Sequence, residues 1–376
     1  MERLRPARVP LLAAGMLALA WGIAAGLVRM GWAVPVPYPD RLVLHGPLMI
    51  CGFLGTVIAL ERAVAHARPW AFLAPALTAS GVAALMAAPD STSAPLLMTL
   101  GSVGLLAVYL AMFHRHPSLH LGTMAMGAVF WLAGNALWLA GWPIFRLVFW
   151  WVGFPVLTIA GERLELTRLL PPTRFGRAGF VLIAAALAAG AAQASAFPAA
   201  PPRLAGLALA ALSVWLLRYD VARRTIRQRG LARFTASCLL SGYAWLGVGG
   251  ALAFVHSGEF SGPIYDAALH AVLVGFVFAM IFGHAPIIFP AVLGGRAVFH
   301  HRFYAHLLLL QGSVALRLAG DLSSAWSDGS WWRARGWGGA LSAAAIMIFL
   351  LNTVRSLRFG EDRTRAQGTA AVQAAP

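Results

Sequence analysis

Few side chains in this sequence can do chemistry, and they sit at telling intervals inside apolar segments. His45 and Glu61 share one apolar run, and His270 and His284 share another. Glu162 closes a third, followed by Arg163 and Glu165. His306 and Arg317 occupy a fourth, and Asn135 lies in the middle of a fifth. An ionisable group inside an apolar helix is costly, so each is a functional candidate. Neutral imidazole is a strong ligand for iron. Two carboxylates with a histidine suit a divalent metal or a proton relay.

The intervals define two layers. At 1.5 Å per residue, His45 and Glu61 are separated by roughly 24 Å, and His270 and His284 by roughly 21 Å. If both helices run in the same direction, His45 and His270 share one level and Glu61 and His284 another. The first pair has the chemistry of a bis-imidazole heme site clamped between facing helices. Small residues around the ligands, Gly46, Gly52 and Gly55 on one helix and Ala267, Ala268, Ala271 and Gly275 on the other, would admit a flat macrocycle. Met49 follows His45 by one turn, and Arg41 and Arg317 are positioned to meet propionates. Either histidine alone reads more readily as an interfacial residue bonded to a carbonyl or water. Equal depth on two helices brings the heme reading level with that one.

The second layer gathers Glu61, Glu162 and His284. Ile58-Ala-Leu-Glu61-Arg62 is echoed by Ile159-Ala-Gly-Glu162-Arg163, which places both Glu-Arg pairs at the same end of their helices. Pro286 and Pro290 follow His284 and remove helical donors beside it. The layer is expected to bind a divalent metal or to relay protons. The competing reading is that each Glu-Arg pair is a salt bridge pinning its own helix end.

The elements that must position these residues are membrane helices. The chain has 376 residues, 60% hydrophobic and 11% charged. Soluble domains carry about 25% charged residues, so this surface must face lipid. Apolar runs near the length needed to cross roughly 30 Å of hydrocarbon recur throughout, and the short alternating segments of a membrane barrel are absent. The fold class is therefore all-α, a polytopic membrane bundle of about twelve transmembrane helices. They are expected near 10–30, 43–62, 70–88, 94–113, 120–141, 144–162, 178–197, 203–218, 235–256, 264–288, 302–320 and 336–354. Residues 1–358 form the transmembrane domain, and 359–376 read as a disordered cytoplasmic tail.

The net charge of +16 comes from arginine in short connections. That is topology information and not a nucleic-acid footprint. With the N-terminus in the cytoplasm, 22 of the 29 arginines fall on the cytoplasmic side. Both termini are thus expected there, in a bacterial inner membrane. The basic start and the run Leu11 to Val28 resemble a signal peptide in outline, but the run is long and reads as the first helix. Trp326, Trp331, Trp332 and Trp337 suit an interfacial aromatic belt at the opposite face. Cys51 and Cys238 lie in apolar runs and read as packing residues.

The segment His45-Gly-Pro-Leu-Met49-Ile50-Cys-Gly52-Phe53 resembles the second-helix motif of the heme–copper oxidase catalytic subunit, where a histidine precedes Met-Ile by four residues. It is also similar to the second helix of NnrS, a membrane family tied to nitric-oxide stress. His270-Ala-Val-Leu-Val-Gly-Phe-Val-Phe-Ala-Met resembles the tenth helix of both. The resemblance implies twelve helices with cytoplasmic termini, and makes His45 and His270 the axial ligands of one low-spin heme. The departures imply the loss of oxygen reduction. Ala268 stands where an oxidase has its high-spin heme ligand, and the sixth and seventh helices hold no histidine for copper. Pro47 replaces the second histidine of the NnrS motif. The absence of a CxxCH motif makes a bound heme non-covalent, a heme b.

The function expected is a heme b-binding membrane protein in redox chemistry or nitric-oxide and respiratory stress handling, without a binuclear centre. A quinone or a cytochrome would be its electron partner. The alternatives are an ion-coupled transporter, for which the helix-ten prolines are the supporting feature, and a heme-free assembly factor for respiratory complexes.

Overall fold

The computed structural model describes residues 5–373 except 37, 168–171, 198–201, 257, 259–260, 294–297 and 327–330. Side chains are described from residue 8 to 357, with 40, 291–293 and 325–326 described by backbone alone. The tail expected to be disordered, 359–376, falls outside the residues whose side chains are described, as do Trp326, Arg3, Arg5, Arg168, Arg296, Arg358, Arg363 and Arg365.

The described residues are helical or irregular, with no strand among them. The long helices are α1 (Arg5–Arg29), α2 (Arg41–His66), α3 (Pro69–Ala87), α4 (Ser93–Arg115), α5 (Leu119–Leu139) and α6 (Ile144–Leu166). They continue as α7 (Arg174–Ala196), α8 (Arg203–Tyr219), α9 (Gly230–Val255), α10 (Pro263–Pro290), α11 (Phe303–Trp326) and α12 (Trp332–Gln373). Each expected helix has its counterpart within a few residues, except that α12 extends further. Among the described residues, ten of these helices are long and apolar enough to cross a membrane. The other two are α8, at 17 residues, and α11, which carries Arg317 and Asp321 in its body. This is a multi-pass membrane protein.

Successive helices pack against each other, as short connections require: α1 on α2, α3 on α4, α5 on α6, α8 on α9 and α11 on α12. Buried aromatic rings fill the bundle, among them Trp131, Trp151, Tyr109 and Tyr243. Leucine, valine and phenylalanine cover the lipid-facing sides; Leu182, Val214 and Leu308 are two-thirds or more exposed. Lipid replaces water as the solvent for such side chains, so their exposure carries no penalty. Trp331, Trp332 and Trp337 are more than half exposed at the start of α12. Trp32 binds this segment to the end of α1, its Nε1 donating to the Gly336 carbonyl at 3.0 Å and its ring lying edge-on to Trp337 at 4.9 Å.

In the middle of the bundle Asn135 is wholly buried and fully used. Its Oδ1 accepts from Trp151 Nε1 at 3.0 Å and from Cys51 Sγ at 3.1 Å, and its Nδ2 donates to the Met98 carbonyl at 3.1 Å. It ties α2, α4, α5 and α6 together. Both cysteines are buried and free, and Cys51 has this one polar partner.

α2 and α10 share an irregularity. In each, a π-helical segment follows the histidine: Leu48–Gly55 after His45 and Ala271–Phe278 after His270. A π-turn widens the helix and re-aims side chains on both sides, and it recurs at functional sites. Each histidine is followed eight residues later by a phenylalanine, Phe53 and Phe278. Histidine meets histidine and phenylalanine meets phenylalanine across the interface, the second pair stacked at 5.9 Å and 17°. α2 and α10 therefore face each other in matched register. α10 stays helical through Pro286 and Pro290, and the Gly283 carbonyl finds a donor in Thr235 Oγ1 at 3.0 Å.

Candidate heme site between the second and tenth helices

His45 and His270, 225 residues apart in sequence, are neighbours in the fold. Their ring centroids lie 6.2 Å apart with planes 14° from parallel. Imidazoles on opposite sides of one metal ion, each bonded at about 2.0–2.1 Å, have centroids about 6.3 Å apart. Each Nδ1 is already committed to a backbone carbonyl at 2.7 Å, His45 to Gly22 and His270 to Asp266. A Nδ1–H donated to a carbonyl sets the tautomer that leaves Nε2 as the metal-binding nitrogen, and it orients the ring.

Both histidines line a cavity of about 600 Å³ walled by α1, α2, α6, α10, α11 and α12, with Trp138 and Trp142 from the α5–α6 corner. Binding cavities for cofactors span about 300–1,000 Å³ and are mostly apolar with a few polar groups. This one has Met49, Leu54, Leu273, Val274 and Phe278 for walls. The shape depends on glycines of α1. A Cβ at Gly26 would lie 2.9 Å from His45 Cε1, and one at Gly22 would lie 2.6 Å from Met49 Sδ. Gly26 leaves room for the His45 ring at this distance, and Gly22 leaves room for the flexible end of Met49.

One end of the cavity is charged. Arg29, Asp266, Arg317 and Arg335 line it. Asp266 pairs with Arg335 and lies 3.7 Å from Arg317, while Asp321, wholly buried, lies 2.8 Å from Arg335 and 3.6 Å from Arg317. The Asp266 carboxylate thus holds two arginines, and its carbonyl holds the His270 ring. Arg317 is where the sequence analysis expects it. Arg41 is not: it turns to Asp90 at 2.7 Å, an exposed pair on the α2–α3 side, and does not line the cavity. Its place is taken by Arg29 and Arg335. Asp266 and Asp321 are the residues that sequence reasoning missed, although the signal was available. Each is an acid inside an apolar helix, four residues from a site residue: Asp266 before His270, Asp321 after Arg317.

In the second layer Glu61 pairs with its neighbour Arg62, as the salt-bridge reading expects, whereas Glu162 and Arg163 do not pair with each other. Glu61, Glu162 and His284 line one smaller cavity of about 110 Å³. Both glutamates bind the same guanidinium, that of Arg62, with Glu162 at 3.2 Å. Arg163 does not pair with Glu162; it makes a two-pronged bond to the buried Asp220 at 2.7 and 3.0 Å. Tyr243 also donates to Asp220 at 3.0 Å, and the Ala222 amide caps it. His284 accepts from Arg163 at 3.3 Å and donates to the Met280 carbonyl at 2.7 Å. Among the described residues no three metal-ligating side chains lie close enough to hold an ion. An arginine sits between the carboxylates, where the expected divalent metal would need to be. Asp220 escaped the sequence reading because it follows the end of α8 and reads there as an ordinary loop acid.

Over 93% of its length the chain is similar in fold to a heme–copper terminal oxidase whose dimer was determined by cryo-EM. The match covers 84% of that chain with a TM-score of 0.54 and 12% sequence identity. No curated protein matches. Residues 8–358 match the family described as Domain of unknown function (DUF8744), and the chain belongs to that family.

Proposed function

We propose that this protein is a heme b-binding membrane redox protein with His45 and His270 as the two axial ligands. The observation that carries the reading is the histidine pair: near-parallel rings at the separation two imidazoles adopt across one iron, each with Nδ1 fixed by a carbonyl. The cavity accepts the group on three counts. It is large enough, it is apolar around the histidines, and Arg29, Arg317 and Arg335 line one end where two propionates would lie. The heme would supply a one-electron carrier held in low dielectric.

The chain's own residues determine what that carrier does. Both histidines would hold the group, and the chemistry it would supply between them is electron transfer rather than gas chemistry. Ala268 offers no ligand where an oxidase binds its high-spin heme, and the histidine-free α6 and α7 supply no copper ligands, which speaks against a binuclear centre. A quinone or a cytochrome in the bacterial inner membrane is the expected electron partner.

The test is a visible spectrum of the detergent-purified protein with a pyridine hemochrome assay and metal analysis. The expected result is a Soret band with sharp reduced α and β bands, one b-type heme per chain and no copper. A colourless protein after expression with ample heme supply would overturn the reading in favour of a transporter or an assembly factor.

A further inference from the structure

Arginine is concentrated at one corner of the bundle. Arg174 and Arg177 stand in the first turn of α7, Arg218 in the last turn of α8, and Arg223, Arg224 and Arg227 in the connection to α9. All of them are exposed. The fold holds these segments together. Trp215 Nε1 donates to the Gly176 carbonyl at 2.8 Å, joining the end of α8 to the start of α7. A Cβ at Gly176 would lie 2.9 Å from the Tyr219 ring, so the two helices touch there through a glycine. Arg223 Nη1 donates to the Arg218 carbonyl at 2.7 Å, and the buried Ala222 amide donates to Asp220 at 2.6 Å. These two bonds fold the connection back onto the end of α8.

No counter-charge accompanies the arginines. Asp220 is the one acid between Glu165 and Glu259 in the sequence, and it turns inward to Arg163 and Tyr243. Among the described residues none of these six arginines forms an ion pair. Orientation in a membrane does not call for this density. The α2–α3 and α4–α5 connections at the same end carry one arginine each, Arg68 and Arg115.

A second observation concerns what lies beside the charges. Phe175, between Arg174 and Arg177, is 76% exposed, and the Arg174 guanidinium lies over its ring at 5.2 Å. The Arg218 guanidinium lies over the Tyr219 ring at 5.4 Å. Leu182, two turns along α7 from Phe175, and Val214, one turn before Arg218 on α8, are 70% and 66% exposed. Spacings of seven and four residues put each on the same helix face as its partner. Guanidinium groups at the helix ends are thus followed along the same faces by apolar side chains. That is the order of a phospholipid, phosphate first and acyl chain after. A planar fork of N–H donors suits the phosphate. A soluble polyanion would match the charge and leave Phe175 without a role.

We propose that this corner binds an anionic phospholipid of the surrounding leaflet. The arginines of α7 and of the end of α8 take its phosphate, and Phe175 takes the first methylenes of its acyl chain. The site is separate from both cavities and stands independently of whether the larger one binds heme.

Native mass spectrometry of the purified full-length protein, titrated with dioleoyl-phosphatidylglycerol, tests it, with dioleoyl-phosphatidylcholine and glycerol 3-phosphate as comparison probes. Phosphatidylglycerol is expected to bind at least several-fold more tightly than either. The double variant Arg174→Gln, Arg218→Gln should weaken it by about five-fold for each arginine removed, with an unchanged melting temperature. Phe175→Ser should weaken it too. Arg333→Gln, which removes an exposed arginine at the opposite end of the bundle, should not. Equal affinity for phosphatidylcholine, or an equal loss in Arg333→Gln, would overturn the site. Full binding in the double variant would do the same. Glycerol 3-phosphate binding as tightly as the phospholipid would make the ligand a soluble phosphate and overturn the lipid assignment.

Discussion

The two polar regions hold similar residues and use them in opposite ways. At the larger cavity each histidine spends one nitrogen on a backbone carbonyl and keeps the other, beside a space of about 600 Å³. At the second layer His284 spends both nitrogens, and its neighbours Arg163, Asp220 and Tyr243 close on each other. A cofactor site must keep coordination capacity unspent, whereas a structural polar cluster in the membrane must spend all of it. By that standard the arrangement of His45 and His270 supports the proposed ligand pair, and the Arg163–Asp220 group is a fastener. The Glu61–Glu162 pair shares the Arg62 guanidinium and lines a second, smaller cavity.

Seven substitutions break or sharpen this contrast. The largest effect is expected at the histidines. His45→Ala or His270→Ala should abolish the low-spin spectrum, read as loss of the sharp α band and of bound heme, while monodispersity in detergent is kept. An unchanged spectrum in both would end the ligand assignment.

Arg163→Ala should leave the spectrum in place and instead destabilise the protein by about 3–5 kcal/mol, the usual result of stranding a buried charge, here Asp220. Thermal unfolding in detergent measures it. Equal losses of heme and stability would erase the distinction between the two regions.

Gly26→Ala separates room for the ligand from the ligand itself. Its Cβ would meet the His45 ring at 2.9 Å, so heme content should fall at least several-fold with little change in melting temperature. Gly22→Ala meets the flexible end of Met49 and should be milder. The spectrum per mole of protein decides between them. The smallest effect belongs to Arg41→Ala, which removes an exposed ion pair with Asp90 worth about 0–1 kcal/mol. Heme content should match the wild type, whereas Arg317→Ala, inside the cavity, should lower it.

Much of the architecture is written in local composition. Apolar runs set the helices, because lipid demands about twenty apolar residues per crossing and satisfies no backbone group. Among the described residues α8 and α11 are the helices that fall short of membrane-crossing length or composition; α8 has 17 residues, and α11 carries Arg317 and Asp321 in its body. The equal depth of His45 and His270 followed from residue counting along helices of fixed rise. Arg41 was misread because counting gives level but not azimuth. It stands four residues before His45, yet its side chain points to Asp90.

What the sequence by itself determined, then, is which residues lie within the bundle and at what height, since helical rise and hydrophobic length are properties of one segment at a time. Pairing was decided by the tertiary structure alone. Glu162 stands next to Arg163 in the chain but bonds to Arg62, a hundred residues away, and Arg163 crosses to Asp220. The reason is rotational. Successive residues on a helix point about 100° apart, so neighbours in sequence face different helices, and the partner of each charge is set by whichever helix packs against that face.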